Sequence, residues 1–181
     1  MQGVPTAMQS RLDLPTRGRM TDAQRVVHDQ ILHTRGNDNG PFLAWLLSPK
    51  LADSAQALGA VCRYGTSLSL CESELLIMHV ASWYDCPAEA QIHGPIALRA
   101  GLSEAVLEAI RNRQPPVLDH PRLAMLSLVA QELLTSRHLT QSTYAQAINT
   151  LGEQALVEAV GIIGYYALTA YTLNAFDMRL N

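Results

Sequence analysis

Cys86, Glu89 and His93 fall at i, i+3 and i+7. In a helix that spacing puts a thiol, a carboxylate and an imidazole on one face. Glu89 and His93 can then bond each other directly across one turn. Cys86 sits in the expected first turn, where the helix dipole favours a thiolate and lowers the thiol pKa. A small buried filler is the other reading of the same cysteine. Glu74 lies about ten residues before the turn expected at Tyr84–Cys86 and His93 about eight after it. At ~1.5 Å rise per residue, antiparallel helices bring the two to heights only ~3–5 Å apart. Glu74, Glu89 and His93 are therefore expected to meet between two helices. Two carboxylates raise an imidazole pKa and burial lowers it, a balance suited to general acid–base work. A satisfied structural histidine fits the same spacing. A Glu–His–Glu group can also hold a divalent metal. The Glu-x-x-His interval of di-iron bundles is absent, however, and no metal is expected. His79 lies about 140° round its helix from Glu74 and is expected outside this group. His28, His33, His120 and His138 are scattered among faces and caps.

Helices must position these groups, and the sequence marks their ends. Thr21 to Gln24 and Ser69 to Glu72 are capping boxes. The first opens a helix ending near Gly36, and the second opens one reaching about Tyr84. Ser48-Pro49 starts a helix that runs to about Tyr64, and a short apolar element, Pro41 to Leu47, precedes it. Asp85-Cys86-Pro87 reads as a cap and first turn, with the helix stopping at Gly101 and Gly94-Pro95 able to kink it. Ser103 caps a segment to Arg113, Pro115-Pro116 breaks the chain, and Asp119-His120-Pro121 starts a helix to about Thr135. Thr140 caps another, ending at Leu151-Gly152, and a last helix covers Glu153 to about Asn174. The pattern is all-α, about eight helices with antiparallel neighbours and no convincing strand. Residues 1–20 read as an extended N-terminal arm and 21–181 as a single all-helical domain.

Composition narrows the function classes. The chain has 181 residues, 48% hydrophobic but only 16% charged, which argues against disorder. Net charge is −3, Lys50 is the single lysine, and no basic run occurs, so no nucleic-acid partner is expected. Three cysteines without a C-x-x-C pair form no disulfide framework, and the start lacks a signal-peptide core. The cytoplasm is the expected compartment. Ala159 to Phe176 carries no charge but holds Gly161, Gly164, Thr169 and Asn174. It reads as a core or subunit-contact helix rather than a membrane span.

Several separated strings carry a resemblance. Glu74, Cys86 and His93, with their intervals, resemble the active-site string of the alkylhydroperoxidase AhpD within the carboxymuconolactone decarboxylase-like superfamily. Gly40 to Leu46, Ser48-Pro49, Arg63 to Leu68, Gly164-Tyr165-Tyr166 and Leu173 to Phe176 resemble the decarboxylase-like branch. The resemblance covers roughly Met20 to Phe176. It implies an AhpD-like all-helical bundle and a homo-oligomer, from dimer to trimer or hexamer. In the peroxidase branch a C-x-x-C pair reduces peroxide with help from a glutamate and a histidine. Here Cys86 matches the first cysteine, but Glu89 stands at the second. That removes the intramolecular disulfide, so a single-cysteine cycle needs an outside thiol. Cys71 is a helix length away, ~20 Å at ~1.5 Å per residue. In the decarboxylase-like branch, Glu89 and His93 match the Glu-x-x-x-His pair. The implied chemistry is proton transfer on a small carboxylated lactone or related acid, without organic cofactor or metal. Arg63 is the expected carboxylate-binding residue, and Tyr64 and Tyr165 are expected to line the pocket. The first expectation is thus a decarboxylase-like lyase with His93 as acid–base group, Glu89 orienting it, and Glu74 a second carboxylate. The alternatives are a thiol-dependent peroxidase or redox protein using Cys86, and a non-catalytic binding oligomer.

Overall fold

The structure, a computed structural model, describes residues 8–180. Its helices begin where side-chain chemistry marks them. The Thr21 hydroxyl accepts from the Gln24 backbone N–H and the Gln24 side chain answers the Thr21 N–H, opening α1 (Asp22–Arg35); Gly36 closes it at φ +74°. The short apolar element is a single turn, α2 (Phe42–Trp45). Pro49 occupies the first turn of α3 (Pro49–Tyr64), though Ser48 makes no capping bond. The Ser69–Glu72 capping box opens α4 (Leu70–Trp83). After it come α5 (Pro87–Arg99) and α6 (Glu104–Arg111). Then follow α7 (Pro121–Ser136), α8 (Gln141–Leu151) and α9 (Glu153–Ala175).

α4 is the axis of the fold. Every residue from Glu72 to Ala81 is buried, which marks a helix covered on all sides rather than on one stripe. α5, α6, α7 and α9 pack round it. Leu75, Leu76, Ile77 and Val80 are at most 1% exposed; burying each stabilises the fold by roughly 1.5–3 kcal/mol. α9 is by length and composition apolar enough to cross a membrane, yet 56% of its most apolar window is buried inside the chain. It packs against α3, α4 and α8 as a core helix.

Two expectations about regularity change. α5 runs through Gly94-Pro95 to Arg99 without a break. Pro95 lies on the exposed side of the helix, so the Gln91 carbonyl that loses its donor faces water. The chain also contains a two-residue antiparallel pair, β1 (Met8–Gln9) with β2 (Arg179–Leu180). A ladder this short has no hydrophobic alternation to betray it in sequence. Of the arm, residues 1–7 lie outside the described residues. Residues 8–20 run over the body: Met8, Leu12 and Leu14 lean on a small apolar cluster, and Met20 is buried in the main core.

Candidate active site

α4 and α5 are joined by a tight reversal at Tyr84–Cys86, where Asp85 takes φ +46°. The antiparallel return brings the middle of α4 against the second turn of α5. Glu74, 0% exposed, meets His93, 3% exposed, there. His93 Nδ1 lies 2.8 Å from Glu74 Oε2. A carboxylate oxygen accepts, so Nδ1 donates in this bond and Nε2 is the nitrogen turned to the cavity side. On the Nε2 side stand Glu89 Oε2 at 3.4 Å and Arg63 Nη1 at 3.5 Å. The Tyr166 ring meets the imidazole edge-on, with centroids 5.2 Å apart. The tight partner of His93 is thus Glu74 on the neighbouring helix. This corrects the expectation that Glu89, on its own helix, orients the ring.

Burial pushes the Glu89 carboxyl above the ordinary carboxylate range; Glu74 adds to the rise, while His93 and Arg63 oppose it. Burial thus biases Glu89 towards its protonated form beside Nε2. Glu74 Oε1 and Glu89 Oε2 are buried with no hydrogen-bond partner among the described residues. Leaving such an atom unpaired costs roughly 1–3 kcal/mol.

A cavity of about 150 Å³ opens over this group. A volume of that order takes a benzene-sized ring and is far below the roughly 300–1,000 Å³ of drug-sized sites. Glu89, His93, Arg63, Tyr165 and Tyr166 form its polar wall, and Phe42, Ile92 and Ile96 its apolar one. Tyr64, 58% exposed, stands at the mouth. Burial pushes the Tyr165 hydroxyl up to about 12 and raises Tyr166 as well, so both are neutral donors at neutral pH.

Five expected residues, His93, Glu89, Arg63, Tyr64 and Tyr165, therefore line one cavity, with Glu74 behind the imidazole. Cys86 does not line it. It precedes α5 as the N-cap residue, makes no capping bond, and is 2% exposed. Ala44, Ala88, Ala170, Leu173 and Met178 enclose it. Burial pushes its thiol up to about 11, against the nearby Glu89 backbone N–H. The Glu89 and Ala88 N–H groups at the helix start do lower it, as expected, but burial outweighs them. All three cysteines are free, and burial raises each thiol.

His79 stays apart, as its helical phase requires: its Nε2 meets Ser127 Oγ at 2.9 Å. No group of three or more His, Cys, Asp or Glu able to hold a metal ion occurs among the described residues. Tyr166 and Arg35 are among the cavity residues that escape sequence reasoning. Tyr166 follows Tyr165 by about 100° of helix rotation, so periodicity assigns only one of them to the cavity. Arg35 ends α1 and looks like an ordinary C-terminal cation. Gly59 is the signal for both Tyr165 and Arg35. A Cβ there would fall 2.1 Å from the Tyr165 hydroxyl and 2.7 Å from Arg35 Nη2.

No protein-family model and no curated protein matches the sequence. Solved structures do match. An AhpD-core, peroxidase-related protein from Ralstonia eutropha JMP134 superposes with TM-score 0.78 at 16% identity, over 95% of this chain and 92% of that one. A peroxidase-related protein from Silicibacter sp. TM1040 gives 0.77 at 17%, with the same coverage. The debrominase Bmp8 gives 0.73 at 16%, over 93% of this chain and 90% of that one. A cysteine-to-alanine variant of it, in complex with 2,3,4-tribromopyrrole, matches equally. Identities this low speak for architecture alone, and the architecture agrees along nearly the whole length: the chain has the AhpD-like all-helical fold.

Proposed function

We propose that the protein is a carboxymuconolactone decarboxylase-like lyase acting on a small carboxylated lactone or related organic acid. The observation that carries this reading is the Glu74–His93 bond, aimed so that Nε2 and Glu89, whose carboxyl burial biases towards its protonated form, share one small cavity. In the proposed step the carbon–carboxylate bond breaks and CO2 departs. The electron pair left on carbon spreads onto the lactone carbonyl and takes a proton from the Glu89–His93 pair, which solvent restores. Glu74 holds the imidazole tautomer, as a buried carboxylate does in hydrolase triads. Arg63 balances the negative charge of the carboxylates around it. No metal and no organic cofactor enters the scheme. The thiol route is disfavoured, because Cys86 is enclosed and its thiol stays protonated.

A soluble, cytoplasmic homo-oligomer belongs to the same proposal. Val157 and Tyr171 on α9, 71% and 61% exposed, and Leu58 and Val61 on α3 supply apolar surface for a second copy. No membrane or nucleic-acid partner is proposed. The test is CO2 release from carboxymuconolactone and a panel of small carboxylated lactones. His93→Ala should abolish it, a loss of at least ~10²–10⁴-fold for a general acid–base group, with helicity unchanged. Turnover equal to the parent's in a folded His93→Ala protein refutes the reading.

A further inference from the structure

Arg35 and Arg63 are the two partly buried arginines with no carboxylate within 4 Å among the described residues. Arg25 and Arg122, also partly buried, pair with Asp22 and Glu72. Both unpaired arginines line the cavity, but they are engaged differently. The Arg63 guanidinium sits over the acid–base group, 3.5 Å from His93 Nε2. Glu74 and Tyr166 both act on its charge. Its charge is spent locally.

Arg35 is held by its face and left free at its edge. Its guanidinium lies 4.6 Å from the Phe42 ring centroid and 6.0 Å from that of Tyr64. Stacking of this kind fixes the plane of the fork without using its N–H groups. Of its five donors, Nη2 reaches only the Gln56 carbonyl, at 3.4 Å. Nε is buried with no partner among the described residues. A buried, unpaired cationic donor carries a desolvation cost that a bound anion would offset. Gly59 adds an independent observation. Any side chain there would collide with Arg35 Nη2 and the Tyr165 hydroxyl, so α3 leaves a gap that admits both into the cavity. Arg35 stands at the far end of α1, and the loop after it supplies the cavity residues Asn37 and Asn39.

We infer that Arg35 is the anion receptor of this cavity and that the ligand is a small planar carboxylate. Its carboxylate pairs two-pronged with the free edge of Arg35, and its apolar body lies against Phe42, Ile92 and Ile96. This assignment moves the carboxylate contact from Arg63, where sequence reasoning put it, to a residue on a different helix. It explains why the acid–base group and the binding charge need two arginines. One stands over the imidazole of the acid–base group, and the other meets the carboxylate of the ligand. The inference rests on reading the cavity as the substrate site but not on any reaction, so binding tests it separately from turnover.

The experiment is calorimetric titration of the full chain with benzoate, cyclohexanecarboxylate and 2-furoate, beside neutral benzamide. The parent should bind at least one of the three carboxylates saturably and benzamide at least ten-fold more weakly. Arg35→Gln should lose ten-fold or more in carboxylate affinity, and Arg35→Lys, which keeps the charge but not the fork, less. Arg63→Gln should lose less than Arg35→Gln. Circular dichroism on each variant checks the fold. Should Arg35→Gln fail to fold, Gly59→Ala, which crowds both the guanidinium and the Tyr165 hydroxyl, should weaken the carboxylate more than benzamide. Three results each overturn the inference: no saturable carboxylate binding by the parent, equal binding of benzamide, or unchanged carboxylate affinity in a folded Arg35→Gln or Gly59→Ala protein. Loss of turnover in His93→Ala with binding intact would separate the receptor from the catalyst.

Discussion

The two ends of one helix face meet opposite fates. Cys86, just before α5, and His93, in its second turn, share a nominal stripe and are buried to the same degree. Around Cys86 the neighbours are methyls and a thioether, with Ala44, Ala88, Ala170, Leu173 and Met178 closing over it. Around His93 they are two carboxylates and a guanidinium. Burial alone silences a titratable group by favouring its neutral form. Burial with charged partners and an open cavity makes it usable. That difference is what favours the proposed proton transfer over thiol chemistry on a fold whose solved neighbours carry peroxidase-related and debrominase names.

The sharpest way to break the comparison is Glu74→Gln. The amide keeps the volume but can present its NH2 to Nδ1, which forces a proton onto Nε2 and breaks the proton exchange between Nε2 and Glu89. Tautomer loss of this kind costs on the order of 10⁴ in turnover in hydrolase triads, and ~10²–10⁴ is expected here. Helicity measured alongside should be unchanged. A Glu74→Gln protein that folds and turns over within ten-fold of the parent would put the imidazole outside the chemistry. Smaller in effect is thiol alkylation. With its thiol pushed up to about 11, Cys86 should react with iodoacetamide at neutral pH on the order of 10² times slower than a free thiol near 8.5. Peptide mapping reads the three cysteines separately. A rate equal to that of free glutathione would restore the redox reading.

How much of this was written in the chain follows from which contacts are local. Thr21 with Gln24 and Ser69 with Glu72 cap their helices within four residues, so the helix starts can be read directly. The Glu74–His93 meeting was also legible, because one turn and a fixed rise per residue determine which side chains share a height. The fate of Cys86 was not. It depends on Leu173 and Met178, nearly ninety residues along the chain, packing over the start of α5. Arg35 was hidden for a similar reason. Its approach to the cavity is set by how α1 lies on α3 at Gly59, and nothing near residue 35 announces that. The ordering of Glu74 and Glu89 about the imidazole was invisible too. Spacing along one helix shows that Glu89 can reach His93, but only the docking of α4 shows that Glu74 reaches it better.

His79 supplies a control from α4 itself. It is buried like His93, but its hydrogen-bonding partner is the Ser127 hydroxyl, and burial pushes it down to about 4. In the unfolded chain a histidine takes its proton near 6.5. As pH falls from 6.5 towards 4 the unfolded state gains a proton that the folded state refuses. The stability that neutral His79 contributes above pH 6.5 is therefore lost over that window, by at most about 3 kcal/mol. Urea unfolding at pH 7 and pH 4.5 should show a larger loss for the parent than for His79→Gln, while His79→Gln keeps its turnover. Equal losses in the two proteins would mean that His79 is not held neutral by its surroundings.

The smallest expected effect is at Cys86 itself. Cys86→Ser places a strong N-cap residue where α5 begins, a gain of about 1 kcal/mol if its hydroxyl reaches the N–H groups of the first turn. The same hydroxyl enters an apolar enclosure, at a cost of roughly 1–3 kcal/mol when unpaired. The two nearly cancel, so stability should shift by no more than about 1–2 kcal/mol. CO2 release should stay within two-fold of the parent, because Cys86 does not line the cavity and reaches the Glu74–His93–Glu89 group only through the Glu89 backbone N–H and charge. A ten-fold fall in turnover with the fold intact would mean that the start of α5 contributes to catalysis after all, and the contrast between its two turns would fail.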